Sequence, residues 1–166
     1  MLYEFNADNI LEMAETIEKN GADFYRDAAL KVHDKNAKQA LLDLAREEDE
    51  HFRIFSGIRN TLSEQQKRNP GFSVPTDVSG YLHALANTKI FFEKEILSPD
   101  DLSDTDSSAL LKSIYLSALR AEKDSIVFYV GLKEMVPEAF GRSKVDEIIQ
   151  EEMRHLTQLS QELAAV

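Results

Sequence analysis

Glu47-Glu48-Asp49-Glu50-His51 and Glu151-Glu152-Met153-Arg154-His155 are the stretches on which the fold turns: each sets a glutamate three residues before a histidine, and the second follows the first by 104 positions. Residues three apart on an α-helix lie on nearly the same face one turn along, so each pair presents a carboxylate oxygen and an imidazole nitrogen together. The same shift relates Glu18-Lys19-Asn20-Gly21-Ala22-Asp23-Phe24-Tyr25 to Glu122-Lys123-Asp124-Ser125-Ile126-Val127-Phe128-Tyr129, with no insertion between the two motifs of either half. A single Glu-x-x-His is weak evidence in so acidic a chain, where one glutamate is more often a solvated charge on a helix face. Two copies in register with a second matched element indicate an internal duplication.

Outward from these motifs, apolar residues recur three or four apart. Helix A reads from about 8 to 32, with Ile10, Leu11, Ala14, Ile17 and Tyr25 on its periodic face and Asn6 or Asp8 able to cap it; helix B reads from about 36 to 62. Pro70-Gly71 and Pro75 punctuate a loop, a shorter helix follows over about 80–97, and Ser98-Pro99-Asp100-Asp101 ends it. Helix C reads over about 107–136, Pro137 and Gly141 mark a turn, and helix D covers about 143–164. The chain is therefore expected to be all-α, one domain over 1–166, a four-helix bundle whose long B–C crossover contains the short extra helix.

The lone glutamates join the Glu-x-x-His pairs by simple helix geometry. The midpoint of Glu18 and Glu48 falls at position 33 in the A–B turn, and that of Glu122 and Glu152 falls at Pro137, so each hairpin sets its two glutamates level. At ~1.5 Å rise per residue they sit roughly 20 Å from the turn, in the middle of the bundle. Four carboxylates and two imidazoles then converge on an apolar interior, which cannot hold them uncompensated. Two divalent cations would compensate them, and hard oxygens with borderline imidazoles suit iron or manganese, with zinc a redox-inert occupant. Glu18, Glu48, His51, Glu122, Glu152 and His155 are the candidate ligands. Tyr25 and Tyr129, almost two turns after Glu18 and Glu122, share their faces and can hydrogen-bond a ligand carboxylate. Glu47 and Glu151 should point about 100° away from the site, to solvent or to an outer contact. Phe24 and Phe128 are assigned to packing, His33 and His83 to the surface, and Glu93 and Glu95 to the flanks of an amphipathic segment.

Composition narrows the alternatives. With no cysteine the chain has no disulfide, thiolate zinc site or rubredoxin-like iron centre. A formal charge of -11 repels nucleic acid. The amino terminus lacks a signal pattern and no stretch reaches the ~20 apolar residues that span a bilayer, so a cytoplasmic protein off the membrane is expected.

These motifs resemble the rubrerythrin-like branch of the ferritin-like di-iron carboxylate superfamily, across all four long helices. The resemblance implies two iron ions, with Glu48 and Glu152 bridging, Glu18 and Glu122 terminal, His51 and His155 binding one iron each, and Tyr25 and Tyr129 beside the cluster. It also implies a non-haem oxidoreductase that reduces hydrogen peroxide or dioxygen in oxidative stress. Two departures qualify this. Rubrerythrins proper carry a further glutamate where this chain has Ser125, which leaves a symmetric Glu4His2 set closer to ferroxidase sites. The rubredoxin domain is missing, so electrons must come from an external donor protein or from ferrous iron. An iron-binding or iron-delivery module is the alternative, and a scaffold with a vestigial or zinc-filled site the second. A homo-oligomer, dimer favoured, is expected because Phe91-Phe92 supply an apolar face that a lone bundle need not cover.

Overall fold

The computed structural model describes residues 7–63 and 107–166. The expected middle helix and residues His83, Phe91, Phe92, Glu93 and Glu95 lie outside the described residues. Four long helices occur: α1 (Ala7–Lys31), α2 (Lys35–Thr61), α3 (Ser107–Met135) and α4 (Arg142–Ala165), with a 3-10 turn at Glu138–Phe140. No strand occurs among the described residues, and no helix there is long and apolar enough to cross a membrane.

Local chemistry sets the helix ends. Asp34 holds an extended conformation and accepts a hydrogen bond from the Ala37 amide at 2.8 Å, satisfying one of the free donors at the start of α2. Between α3 and α4, Pro137 stops α3 and Gly141 turns the chain with φ 108°. A Cβ at Gly141 would stand 3.1 Å from Ile58 Cγ1. Gly141→Ala is therefore expected to destabilise the protein by about 1–2 kcal/mol from the left-handed backbone alone, with Ile58 having to yield as well; denaturant melts of the two proteins test this, and equal midpoints would refute it.

Helix α1 packs along α2 and α3 along α4, and the two antiparallel hairpins meet through α1 with α3 and α2 with α4. Two apolar clusters fill the bundle. One contains Ile10, Leu11, Phe55, Ile58, Leu132 and Ile148 at the end where α1 begins. The other contains Ala28, Ala29, Leu41, Leu44, Ile114 and Tyr115 at the end where α3 begins. α2 therefore finishes in the first cluster and α3 starts in the second, at opposite ends of the bundle. Between the two apolar clusters lies a polar band.

Candidate metal centre

Among the described residues, the buried polar side chains are Glu18, Glu48, His51, Glu122, Ser125, Glu152 and His155. The six expected ligands are thus the interior polar set apart from one serine, and each helix delivers its share: α1 Glu18, α2 Glu48 and His51, α3 Glu122, α4 Glu152 and His155. They form two overlapping cages. Glu18, Glu48, His51 and Glu152 each place one ligand atom within 4.8 Å of the others, and so do Glu48, Glu122, Glu152 and His155. Glu48 and Glu152 belong to both cages, the position a bridging carboxylate takes, while Glu18 and Glu122 each serve one.

Both imidazoles turn Nδ1 inward. His51 Nδ1 lies 3.1 Å from Glu152 Oε1 and 3.5 Å from Glu18 Oε2; His155 Nδ1 lies 2.9 Å from Glu152 Oε2 and 3.4 Å from Glu48 Oε1. The rings stack with centroids 5.8 Å apart. Even so, both Nδ1 atoms, both oxygens of Glu18 and one oxygen each of Glu48, Glu122 and Glu152 are buried without closing a hydrogen bond. Buried polar atoms of this kind are costly unless something else ligates them. Seven converging lone-pair donors fit two cations of hard to borderline character, so the residues present suit the metal pair inferred from the sequence.

Protons take the place of cations in the metal-free chain. Burial pushes the Glu18 and Glu122 carboxyls well above the usual range, and the neighbouring Glu48 and Glu152 charges push the same way. Burial opposes ionisation of Glu48 and Glu152 too, but the adjacent Glu18 carboxyl, for Glu48, and the two close imidazoles, for both, outweigh it and hold both low. Burial disfavours charge on His51 and His155, yet the surrounding carboxylates overcome it and raise both far above an ordinary histidine. Bound protons thus lower the net negative charge of the cluster in the metal-free chain. Four carboxylates with two divalent cations and neutral rings would sum to zero.

The outer face of each ring is held from the opposite half. His51 Nε2 meets Glu151 at 2.8 Å, and His155 Nε2 meets Glu47 at 2.7 Å. The histidine of α2 is thus tied by α4 and that of α4 by α2. A carboxylate on Nε2 keeps that nitrogen protonated and leaves the Nδ1 lone pair for a metal. Sequence reading left these two glutamates between solvent and an outer contact; the structure selects the contact. A usable signal existed, because the duplication keeps an acid at 47 and 151 while 49 and 50 change from Asp and Glu to Met and Arg. Glu47→Ala or Glu151→Ala is expected to weaken metal binding about 10–100-fold by freeing one ring; chelator competition with Mn(II) measures it, and unchanged affinity would count against the tie.

The tyrosines cross between hairpins as well. Tyr25 of α1 donates a short hydrogen bond to Glu122 of α3 rather than to Glu18 on its own helix. Burial, then the Glu18 charge, raises the Tyr129 hydroxyl correspondingly, though no hydrogen bond closes there. Phe24 and Phe128 are buried in packing and His33 is exposed. Ser125 is buried with its hydroxyl donating to the Ala121 carbonyl at 3.1 Å, and so supplies no additional carboxylate.

A family model described as Rubrerythrin matches residues 9–163. A crystal structure of a ferritin-like diiron-carboxylate protein from Thermotoga maritima superposes with TM-score 0.67 and 25% identity, covering 96% of this chain and 95% of that one. No curated protein matches the sequence. Since the matched span takes in every helix that contributes to the two cages, the chain belongs to the rubrerythrin family.

Proposed function

We propose that the chain is a non-haem di-iron oxidoreductase that reduces hydrogen peroxide or dioxygen. The observation that carries this reading is the sharing of Glu48 and Glu152 by two buried cages, since two ions bridged by common carboxylates can act as one redox unit. When bound, the irons would supply two electrons to the oxidant. The chain's own residues supply the rest. Glu18 and Glu122, each confined to one cage, have free oxygens with which to change their mode of binding as charge changes. Tyr25 steadies Glu122 through its hydroxyl, and Glu151 and Glu47 steady the two rings. The apolar clusters on either side keep bulk water from the band. These 166 residues contain no cysteine; the electron source in this reading is a donor protein or ferrous iron.

A ferroxidase or iron-delivery role, with ferrous ion as substrate, is the second reading. Ser125 favours it: its hydroxyl is turned into its own helix at the position where the resemblance to rubrerythrins implies a further glutamate. Stopped-flow oxidation of the ferrous-loaded protein separates the two. Faster reaction with peroxide than with dioxygen supports the peroxidase; faster reaction with dioxygen, with more than two irons taken up per chain, supports the ferroxidase. A protein that gains no iron after aerobic loading, and no visible charge-transfer band, refutes both.

A further inference from the structure

The two hairpins repeat one another inside but not outside. Along the outer seam of α1 and α2, Arg59 reaches Asp8 at 2.8 Å and Glu15 at 2.7 Å, with Glu12 at 3.5 Å. Further along the same seam, Arg26 pairs with Asp49 and with Asp23. Moving 104 positions on, Glu12, Glu15 and Arg59 become Leu116, Leu119 and Leu163, and Asp23, Arg26 and Asp49 become Val127, Val130 and Met153. Six of the seven charged residues of the first seam have thus turned apolar, and the seventh, Asp8, becomes Lys112. Four of the five large hydrophobic side chains exposed among the described residues come from this set: Leu116 at 55%, Val127 at 51%, Val130 at 46% and Met153 at 51%.

We propose that the outer seam of α3 and α4 is the face on which two copies of this chain associate. Charge selects the occupant. Residues 107–166 carry seven Lys and Arg against nine Asp and Glu, and two of those nine are the buried Glu122 and Glu152. The outer surface of this hairpin is balanced in a chain of net charge -11. Two such chains repel one another unless each presents its neutral side, and a twofold contact, seam on seam, does so for both at once. Area agrees. Two adjacent helices about 10 Å wide and 36 Å long offer roughly 700 Å², close to the ~800 Å² per partner of a stable interface. The proposal is independent of the metal chemistry.

Sedimentation of the full chain over a wide concentration range tests it, with a dimer expected. The variant V127D/V130R/M153D gives this seam the three charges of the Asp23, Arg26 and Asp49 group, and is expected to weaken the dimer on the order of a hundredfold or more. R26A/D49A, on the other seam, is expected to leave it intact. Should the triple variant fail to fold, Met153→Cys gives a single spin-label site in a cysteine-free chain, and dipolar coupling between labels of two copies is expected. A wild type that stays monomeric, a triple variant that dimerises with wild-type affinity, or a dimer without coupling between the labels overturns the proposal. A monomer whose Met153 resists chloramine-T oxidation overturns it in favour of residues 64–106 of the same chain as the cover.

Discussion

Replacing Glu48 with alanine is expected to abolish tight metal binding at both positions of the centre, whereas replacing Glu18 is expected to spare one. The difference follows from membership. Glu48 lies in both cages, and Glu18 lies in the one built with His51. Removing Glu48 takes an anionic oxygen from each ion and leaves both histidines short of a neighbouring carboxylate. Each affinity should fall at least ~100-fold, because loss of a ligand costs more than the 10–100-fold of an outer partner. Glu18→Ala keeps Glu48, Glu122, Glu152 and His155 together. Titration with Co(II), read by its visible absorption, reports the two sites without redox chemistry. Glu48→Gln preserves side-chain volume and should retain the fold while losing affinity, which separates a ligand effect from a cavity. Wild-type loading of both ions by Glu48→Ala would overturn the shared-cage assignment.

The second large effect is stabilisation of the fold by metal. A ligand held only by the folded chain adds ~2.7 kcal/mol at a hundred times its dissociation constant and ~4.1 kcal/mol at a thousand times. For a protein of this size each kcal/mol raises the melting temperature by about 2–4 °C, so saturating Mn(II) is expected to shift it by about 6–16 °C relative to chelator-treated protein. The exchange of protons for cations adds a signature. Glu18, Glu122, His51 and His155, whose folded values are raised, give up protons on loading, so proton release should accompany metal uptake near neutral pH.

The pH dependence of the metal-free chain has a definite sign. Carboxyls whose folded values are raised, Glu18 and Glu122, contribute stability that is lost as pH climbs from the unfolded value near 4.3 through the raised one. The histidines, raised above their unfolded value near 6.5, also lose their contribution as pH climbs. Glu48 and Glu152, held low, lose theirs in acid. Metal-free protein should therefore weaken from pH 6 to 8.5, and the gap in melting temperature between loaded and metal-free protein should widen over the same range. Scanning calorimetry with and without Mn(II) measures the gap, and a constant or narrowing one would contradict the proton-for-cation exchange.

The charge distribution shows how far a duplicated sequence can be read. The repeat of Glu18 in Glu122 and of Glu48-x-x-His51 in Glu152-x-x-His155 was legible because α-helical periodicity converts spacing along the chain into position on a face. It was sufficient for the bundle, for the level placement of the glutamates and for their convergence inside. The asymmetry of the two outer seams is equally present in the sequence, but it becomes visible only once Arg59 is seen to reach Glu15 and Asp8, and Arg26 to reach Asp49, across two helices.

Sequence alone determined which six side chains enter the interior, since local helix geometry assigns each to the buried face of its own element. Only the tertiary structure decided who holds whom. Tyr25 reaches Glu122 and not Glu18, His51 is tied by Glu151 and His155 by Glu47, and Glu48 and Glu152 are the pair common to both cages. Each of these contacts crosses from one hairpin to the other. Periodicity along a single helix carries no information about the rotation of a second hairpin packed against it, and that relation is set by how the apolar clusters at the two ends of the bundle interlock.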